Sequence, residues 1–271
     1  MKTVLRALLV AGFTALTFGA GQPLWADGNG DALPDMPDLP VLEPQALGAG
    51  GACTTPPKAS LATLPPALLM LTVTAPCQAD TAVRITHGAL GFAGLLDAEG
   101  RFTATIPALS DPARVTVTAG DAAPVDLTRP VPDLATVSRL ALSVRGQTGL
   151  HLAADLPGTT PRRVDGDAPG LPTLGQGGFL TRLGDPSLPA PQLAEVITLP
   201  AARAARLSVV ADVTPDNCDR DLLAMVLMAE PAAAPAAGAI SLSMPGCDAV
   251  GEQLVISDDP LRRLLRVAAT P

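Results

Sequence analysis

Ala82–Ile106 reads AVRITHGALGFAGLLDAEGRFTATI. Val83 and Ile85 alternate with Arg84 and Thr86 as far as His87, the period of a strand with one face buried. Ala89–Leu95 and Arg101–Ile106 are further short apolar runs. Between them, Asp97-Ala98-Glu99-Gly100 has the residues of a hairpin turn. Upstream, Ala67–Ala75 (ALLMLTVTA) reads as a strand preceded by a turn at Leu64-Pro65-Pro66, and downstream Arg114–Thr118 alternates again. Pro107, Pro124, Pro130 and Pro132 exclude helices across the segment. Residues 53–133 are therefore expected to form a small antiparallel sandwich.

Asp133–Thr136 marks a seam, and a second set of strands follows. Arg139–Arg145 (RLALSVR), a Gly146–Gly149 turn and Leu150–Ala154 come first. Arg162–Gly178 is a loop rich in Gly, Pro and Asp. Phe179–Leu183, Gln192–Leu199 and Arg206–Val213 are the next candidates. Leu222–Ala229 (LLAMVLMA) favours helix by propensity alone. Its length and context predict instead a strand buried on both faces, with Ile240–Met244 as its antiparallel partner. Leu254–Ile256 closes the second β-domain, residues 134–259. Asp259 and Pro260 then start a terminal helix of a turn or two over Leu261–Ala268, in a short tail of residues 260–271.

The amino terminus indicates where the chain works. Lys2 and Arg6, the uncharged apolar run Ala7–Ala20 and the small residues up to Ala26 have the order of an export signal. The run is shorter than the roughly 20 residues of a spanning helix, and nothing later is apolar enough to stop transfer. Cleavage after Ala26 starts the mature chain at Asp27, with Ala20 the alternative. Residues 27–52 are rich in Asp, Pro and Gly without a basic residue, the composition of a disordered linker. Their opening, Asp27-Gly28-Asn29-Gly30-Asp31, resembles a calcium loop. Ala32 stands where such a loop has glycine, however, and no spaced bidentate Glu follows. The expected fold class is thus all-β: two antiparallel sandwich-like domains behind a signal peptide and an acidic linker, in a periplasmic or secreted protein.

Composition narrows the chemistry. With 48% hydrophobic residues, a substantial core is available, yet there is no tyrosine, and Phe92, Phe102 and Phe179 are the only aromatics after the signal. Leu, Val, Ala and Ile must fill the core. A net charge of −8 and one lysine beyond the signal, Lys58, leave few groups to neutralise phosphates or stack bases. Nucleic acid is therefore excluded as a partner. The singly scattered arginines have the pattern of a solvated surface.

Four cysteines allow three pairings. Cys53 and Cys77 flank one predicted hairpin, and Cys218 and Cys247 flank another. Each pair would stand at a hairpin's open end, within disulfide reach. Cys53–Cys77 and Cys218–Cys247 are the expected bonds. A four-thiolate metal site lacks the close C-x-x-C spacing it needs. No metal or cofactor is expected.

Nor does a catalytic motif appear: there is no G-x-S-x-G, H-E-x-x-H or phosphate loop. His87 is in phase with Val83 and Ile85 and reads as a structural histidine facing inward, while His151 is out of phase and reads as surface. Asp219 and Asp221 flank Arg220 as a solvated ion pair at a hairpin base. A hydrolase would have to be built around His87 or Asp219. The most individual segment, Gly177-Gly178-Phe179-Leu180-Thr181-Arg182-Leu183-Gly184-Asp185, reads as a loop packing Phe179 into the second core. Gly177, Gly178, Phe179, Thr181, Arg182 and Asp185 are the candidates if it instead grips a ligand. Arg262, Arg263 and Arg266 set a basic face beside Leu261, Leu264, Leu265 and Val267.

Leu71–Cys77 (LTVTAPC), Asp97–Leu109 (DAEGRFTATIPAL), Gly177–Asp185, Ala194–Pro200 (AEVITLP) and Met244–Val250 (MPGCDAV) resemble uncharacterised exported bacterial proteins carrying the label "translocase". That label implies the handling of exported polypeptides. The first domain also resembles carboxypeptidase-regulatory, or transthyretin-like, sandwiches, whose D-x-x-G-x-F turn matches Asp97, Gly100 and Phe102. Phe92 and Phe102 are placed to pack inward, which argues against a sugar-stacking face. The leading expectation is a non-enzymatic protein that binds another envelope protein. The alternative is a ligand-binding module for an envelope polymer or peptide.

Overall fold

In the computed structural model, residues 54–155, 178–202, 205–231 and 233–268 are described. The signal, the linker with Asp27–Asp31, Cys53, Gly177 and nearly all of the predicted Arg162–Gly178 loop lie outside them. The chain is all-β, with antiparallel sheets throughout and one helix among the described residues. Among the described residues no helix is long and apolar enough to cross a membrane.

Among the described residues seven strands precede Asp133: β1 (Lys58–Leu64), β2 (Leu68–Thr74), β3 (Ala82–His87), β4 (Leu90–Leu95), β5 (Arg101–Pro107), β6 (Ala113–Ala119) and β7 (Val125–Arg129). They form a three-stranded sheet, β1-β2-β5, and a four-stranded sheet, β4-β3-β6-β7. Leu69, Leu71 and Val73 from one and Val83, Ile85, Leu90, Phe92, Val115 and Val117 from the other are fully buried in a common core. Burying each of these nine side chains stabilises by roughly 1.5–3 kcal/mol relative to leaving it exposed, so aliphatic packing suffices where aromatics are scarce.

The tight turn at Asp97–Gly100 forms, but β4 and β5 are not hairpin partners. β4 pairs with β3, and β5 pairs with β2. The turn itself explains the divergence. Asp97 Oδ1 accepts the N–H groups of Glu99 (3.0 Å) and Arg101 (2.6 Å), which closes the loop locally. Outside it, the Leu96 N–H donates to Thr81 O, and the Ala75 N–H donates to Gly100 O. Each arm is therefore caught by a different sheet. Gly100 sits at φ +71°, and a Cβ there would lie 2.3 Å from Ala75 O. The Phe102 ring crosses β4 so closely that a Cβ on Gly94 would meet it at 2.2 Å. These contacts account for the Asp, Gly and Phe of the turn motif. β7 was masked in the sequence by Pro124 and Pro130, which flank it as an edge strand.

After Asp133 come β8 (Val137–Arg145), β9 (Leu150–Asp155), β10 (Phe179–Leu183), β11 (Gln192–Pro200), β12 (Arg206–Asp212), β13 (Asp221–Ala229), β14 (Ala236–Ser243), β15 (Gln253–Ile256) and the helix α1 (Asp258–Ala268). A five-stranded sheet, β10-β11-β8-β13-β14, faces a three-stranded one, β15-β12-β9. Leu140, Leu142, Ile197, Val226 and Met228 meet Leu152, Val209 and Ala211, with Leu261 and Leu265 of α1 packed among them. α1 is longer than the turn or two expected.

No sheet mixes strands from the two sides of Asp133, yet Gly51–Pro271 is one compact unit. Ala141, Val196 and Leu227 on the opposite face of the five-stranded sheet belong to the core of β1–β7. β13 is buried on both faces only in its C-terminal half, because Leu223 near its start is 69% exposed.

β13 and β14 pair from Asp221↔Ser243 to Met228↔Ala236. That register brings Cys218 and Cys247 together at the open end, where they form a disulfide with Cα atoms 5.0 Å apart. Cys77 is also disulfide-bonded. Its expected partner, Cys53, lies outside the described residues.

Candidate functional site

β8 sets the seam between the two halves. Leu140, Leu142 and Val144 enter the second core, and Arg139, Ala141 and Ser143 point the other way. In sequence the singly scattered arginines, Arg139 among them, read as solvated surface. The structure corrects this, since β4 lies over that second row and Arg139 is 1% exposed. Its guanidinium donates from Nε to Thr198 Oγ1 (3.0 Å), from Nη2 to Pro66 O (2.9 Å) and from Nη1 to Ala108 O. Burial pulls its pKa down to about 10, opposed by the nearby Asp133 carboxylate, so it remains a cation at neutral pH. Asp133 in turn accepts the Ala67 N–H at 2.6 Å, fixing the β1–β2 turn. Ser143 Oγ donates to Gly91 O (2.6 Å) and accepts the Gly91 N–H (3.3 Å). Side chains of one strand thus bind the backbone of the other half.

Above Arg139 opens a cleft of about 420 Å³, within the size range of small-ligand and side-chain pockets. Leu109 and Val131 line one wall, Leu134, Ala135 and Val137 another, and the β13–β14 loop around Pro231 and Pro235 the third. Its charged groups are already engaged. Asp111 Oδ1 accepts the Val131 N–H (2.9 Å), and Glu230 Oε1 lies 2.6 Å from Arg262 Nη1. What the cleft offers a visitor is chiefly aliphatic surface.

The Gly177–Asp185 candidates are not gathered there. Phe179–Leu183 is strand β10, not a loop, so its side chains alternate between faces. Gly178 and Phe179 are buried, and Arg182 is exposed on the other face with its Nε 2.9 Å from Glu195 Oε1. Asp185 caps the following turn through the Ser187 hydroxyl and N–H, which hold its carboxyl below the usual range, and donates its own N–H to Ala93 O. Thr181 is buried, and among the described residues its Oγ1 has no hydrogen-bond partner. A stranded hydroxyl costs roughly 1–3 kcal/mol. Thr181→Val is accordingly expected to raise stability by about 1 kcal/mol in urea unfolding; a loss would show that the hydroxyl is satisfied in solution.

His87 is the structural histidine its phase predicts, 1% exposed. The Leu109 N–H donates to Nε2 and the Arg114 carbonyl sits 2.8 Å from Nδ1, so the proton is on Nδ1 and the ring is neutral. Burial lowers its pKa below 6.5, offset by the Arg114 bond and aided by Arg139. Above 6.5 neither folded nor unfolded form carries the proton. Below it the unfolded chain binds a proton that the fold refuses. Stability should therefore fall as pH drops below 6.5, by at most about 1.4 kcal/mol per unit from this residue. In denaturant titrations His87→Gln should flatten that slope, and an unchanged slope would assign it to other groups.

His151 is half-buried rather than at the surface, with Nδ1 3.7 Å from Asp212 Oδ2. Among the described residues no ion pair joins Arg220 to Asp219 or Asp221. Asp221 accepts the Ser243 hydroxyl (2.6 Å), and Asp219 Oδ2 lies 3.5 Å from Cys247 Sγ. Of the predicted basic face, Arg262 is drawn to Glu230 and Arg263 is exposed; Arg266 has no described side chain. No protein-family model, curated protein or solved structure matches the chain, and what the site does has to be read from its own side chains.

Proposed function

We propose that this is an exported, non-enzymatic β-protein that binds another polypeptide of the cell envelope, seating an aliphatic side chain of that partner in the cleft above Arg139. One observation carries the reading: the cleft is walled by both halves, and Arg139, Asp111 and Glu230 are each committed to the protein's own groups. An apolar visitor leaves these bonds intact, whereas an anion must compete with Pro66 O, Ala108 O and Thr198 Oγ1 for the Arg139 guanidinium. Both ring nitrogens of His87 are committed to backbone, which supports a structural role rather than general-base work. Disulfides at Cys218–Cys247 and at Cys77 support an oxidising compartment, in line with the signal-like amino terminus.

A photo-reactive residue replacing Ala135, which is exposed on the cleft rim, tests this in the exporting cell. One dominant polypeptide adduct is expected. A screen that instead yielded a tight small molecule, with no adduct at position 135, would reject the reading in favour of a small-ligand module.

A further inference from the structure

Eight of the described strands stand at a sheet margin, and seven of them have some protection. β1 and β7 lie against each other, and β4 lies on β8, β11 and β13. β10 packs beside β4 and β5. β9 carries His151 and Asp155, and β15 has only four residues. β14, AAGAISLS, has neither charge nor proline in eight residues. Natural sheets rarely leave such an edge open, because its unpaired N–H and C=O groups template another strand. α1 packs against β14 more than against β12 or β13, with Leu261 and Leu265 in the second core, but among the described residues no backbone hydrogen bond joins it to the edge of β14.

We propose that β14 is the docking edge for a second copy of this chain, the two strands pairing antiparallel about a two-fold axis at Ala239 to give a continuous ten-stranded sheet. Three features point to self-pairing rather than to an unrelated strand. First, the edge is self-compatible: Ala239 faces its own copy, Gly238 faces Ile240, and Ala237 faces Ser241, with no like charges opposed. Second, Leu223 (69% exposed) and Met225 stand on β13 directly beside Ser241 and Ala239. A two-fold axis perpendicular to the sheet keeps these residues of both copies on one face, as an isologous contact requires.

The third feature is charge. Asp219, Asp221 and Asp248, against the single cation Arg220, gather at the Ser243 end of β14, where the disulfide lies. Arg262, held by Glu230 at the loop before Ala236, and its exposed neighbour Arg263 mark the other end. Antiparallel pairing sets the acidic end of each copy beside the arginine end of the other, twice. That local match counters the mutual repulsion of two chains of net charge −8.

Sedimentation velocity of the full oxidised chain should show a dimer at high micromolar concentration. Ala239→Lys, at an exposed position, places two ammonium groups face to face. It should raise the dissociation constant by about tenfold or more, with the far-ultraviolet spectrum and the Cys218–Cys247 bond unchanged. Ala239→Asp should act alike, and mixing the two variants should restore the dimer, Lys opposite Asp. A wild-type monomer at these concentrations, a dimer indifferent to Ala239→Lys, or a mixture that stays monomeric would each overturn the proposal. None of these outcomes touches the cleft reading, which is tested at Ala135.

Discussion

Arg139→Met is expected to lower the unfolding free energy by about 3–5 kcal/mol, the range seen when one side of a buried polar assembly is removed. Two effects oppose each other. Methionine relieves the desolvation that pulls the arginine's pKa down to about 10, and this favours the variant. Against it, Pro66 O, Ala108 O and Thr198 Oγ1 all lose their donor inside the protein. Each stranded group costs roughly 1–3 kcal/mol, so three of them outweigh one relieved cation. Arg139→Lys keeps the charge but replaces a planar fork by a single ammonium head, and an intermediate loss is expected. Urea unfolding at neutral pH measures both. Hydrogen exchange locates the effect: the Ala67 and Leu109 amides, beside the carbonyls that Arg139 holds, should lose protection first. Equal stability of wild type and the methionine variant would mean that the three bonds contribute nothing net, and the seam would then be held by apolar contact alone.

Why Arg139 was invisible in the sequence is instructive. RLALSVR alternates, and period-two alternation with arginine and serine on one row is the pattern of a half-solvated strand. Nothing local says that another sheet will cover the polar row. The strand itself was legible, as were β13 and β14 and the disulfide between their ends, because apolar runs, a loop and flanking cysteines all lie within one stretch of chain. The phase of His87 was legible for the same reason. Partners were harder to read. The Asp97–Gly100 turn correctly indicated a reversal, but turn residues fix only the reversal and not which neighbour takes each arm. Leu96 and Ala75 take different sheets through bonds to Thr81 and Gly100. The cleft was beyond reach altogether, since its walls come from segments around Leu109, Ala135 and Pro231. Around Phe179 the strand Phe179–Leu183 was legible, but the flanking glycines suggested a loop packing Phe179 inward, whereas Phe179 and Leu183 are buried residues of the strand β10 itself.

Replacing Cys218 and Cys247 together by Ser should cost about 3–4 kcal/mol, because a loop of 29 residues is released in the unfolded chain. The folded state supplies little of this effect. β13 and β14 remain paired over eight positions, and Val226, Met228 and Ile240 stay in the second core with Leu261 and Leu265. Amides that exchange only through global unfolding should therefore lose protection uniformly in both cores, by the same amount of about 3–4 kcal/mol, while the unfolded chain expands. The denaturant slope m should rise, since more surface is exposed on unfolding. Reductant is a poorer test than the double variant, because Cys77 is disulfide-bonded as well and would be released at the same time. A loss below about 1 kcal/mol would mean that the unfolded state already holds these residues close. Selective loss of protection in β14 would mean that the bond acts as a local clamp on the hairpin. In that case the edge proposed to pair two copies would depend on oxidation for its order, and dimer formation by the double variant separates the two accounts: an entropic cross-link leaves the dimer intact at native temperatures, and a clamp does not.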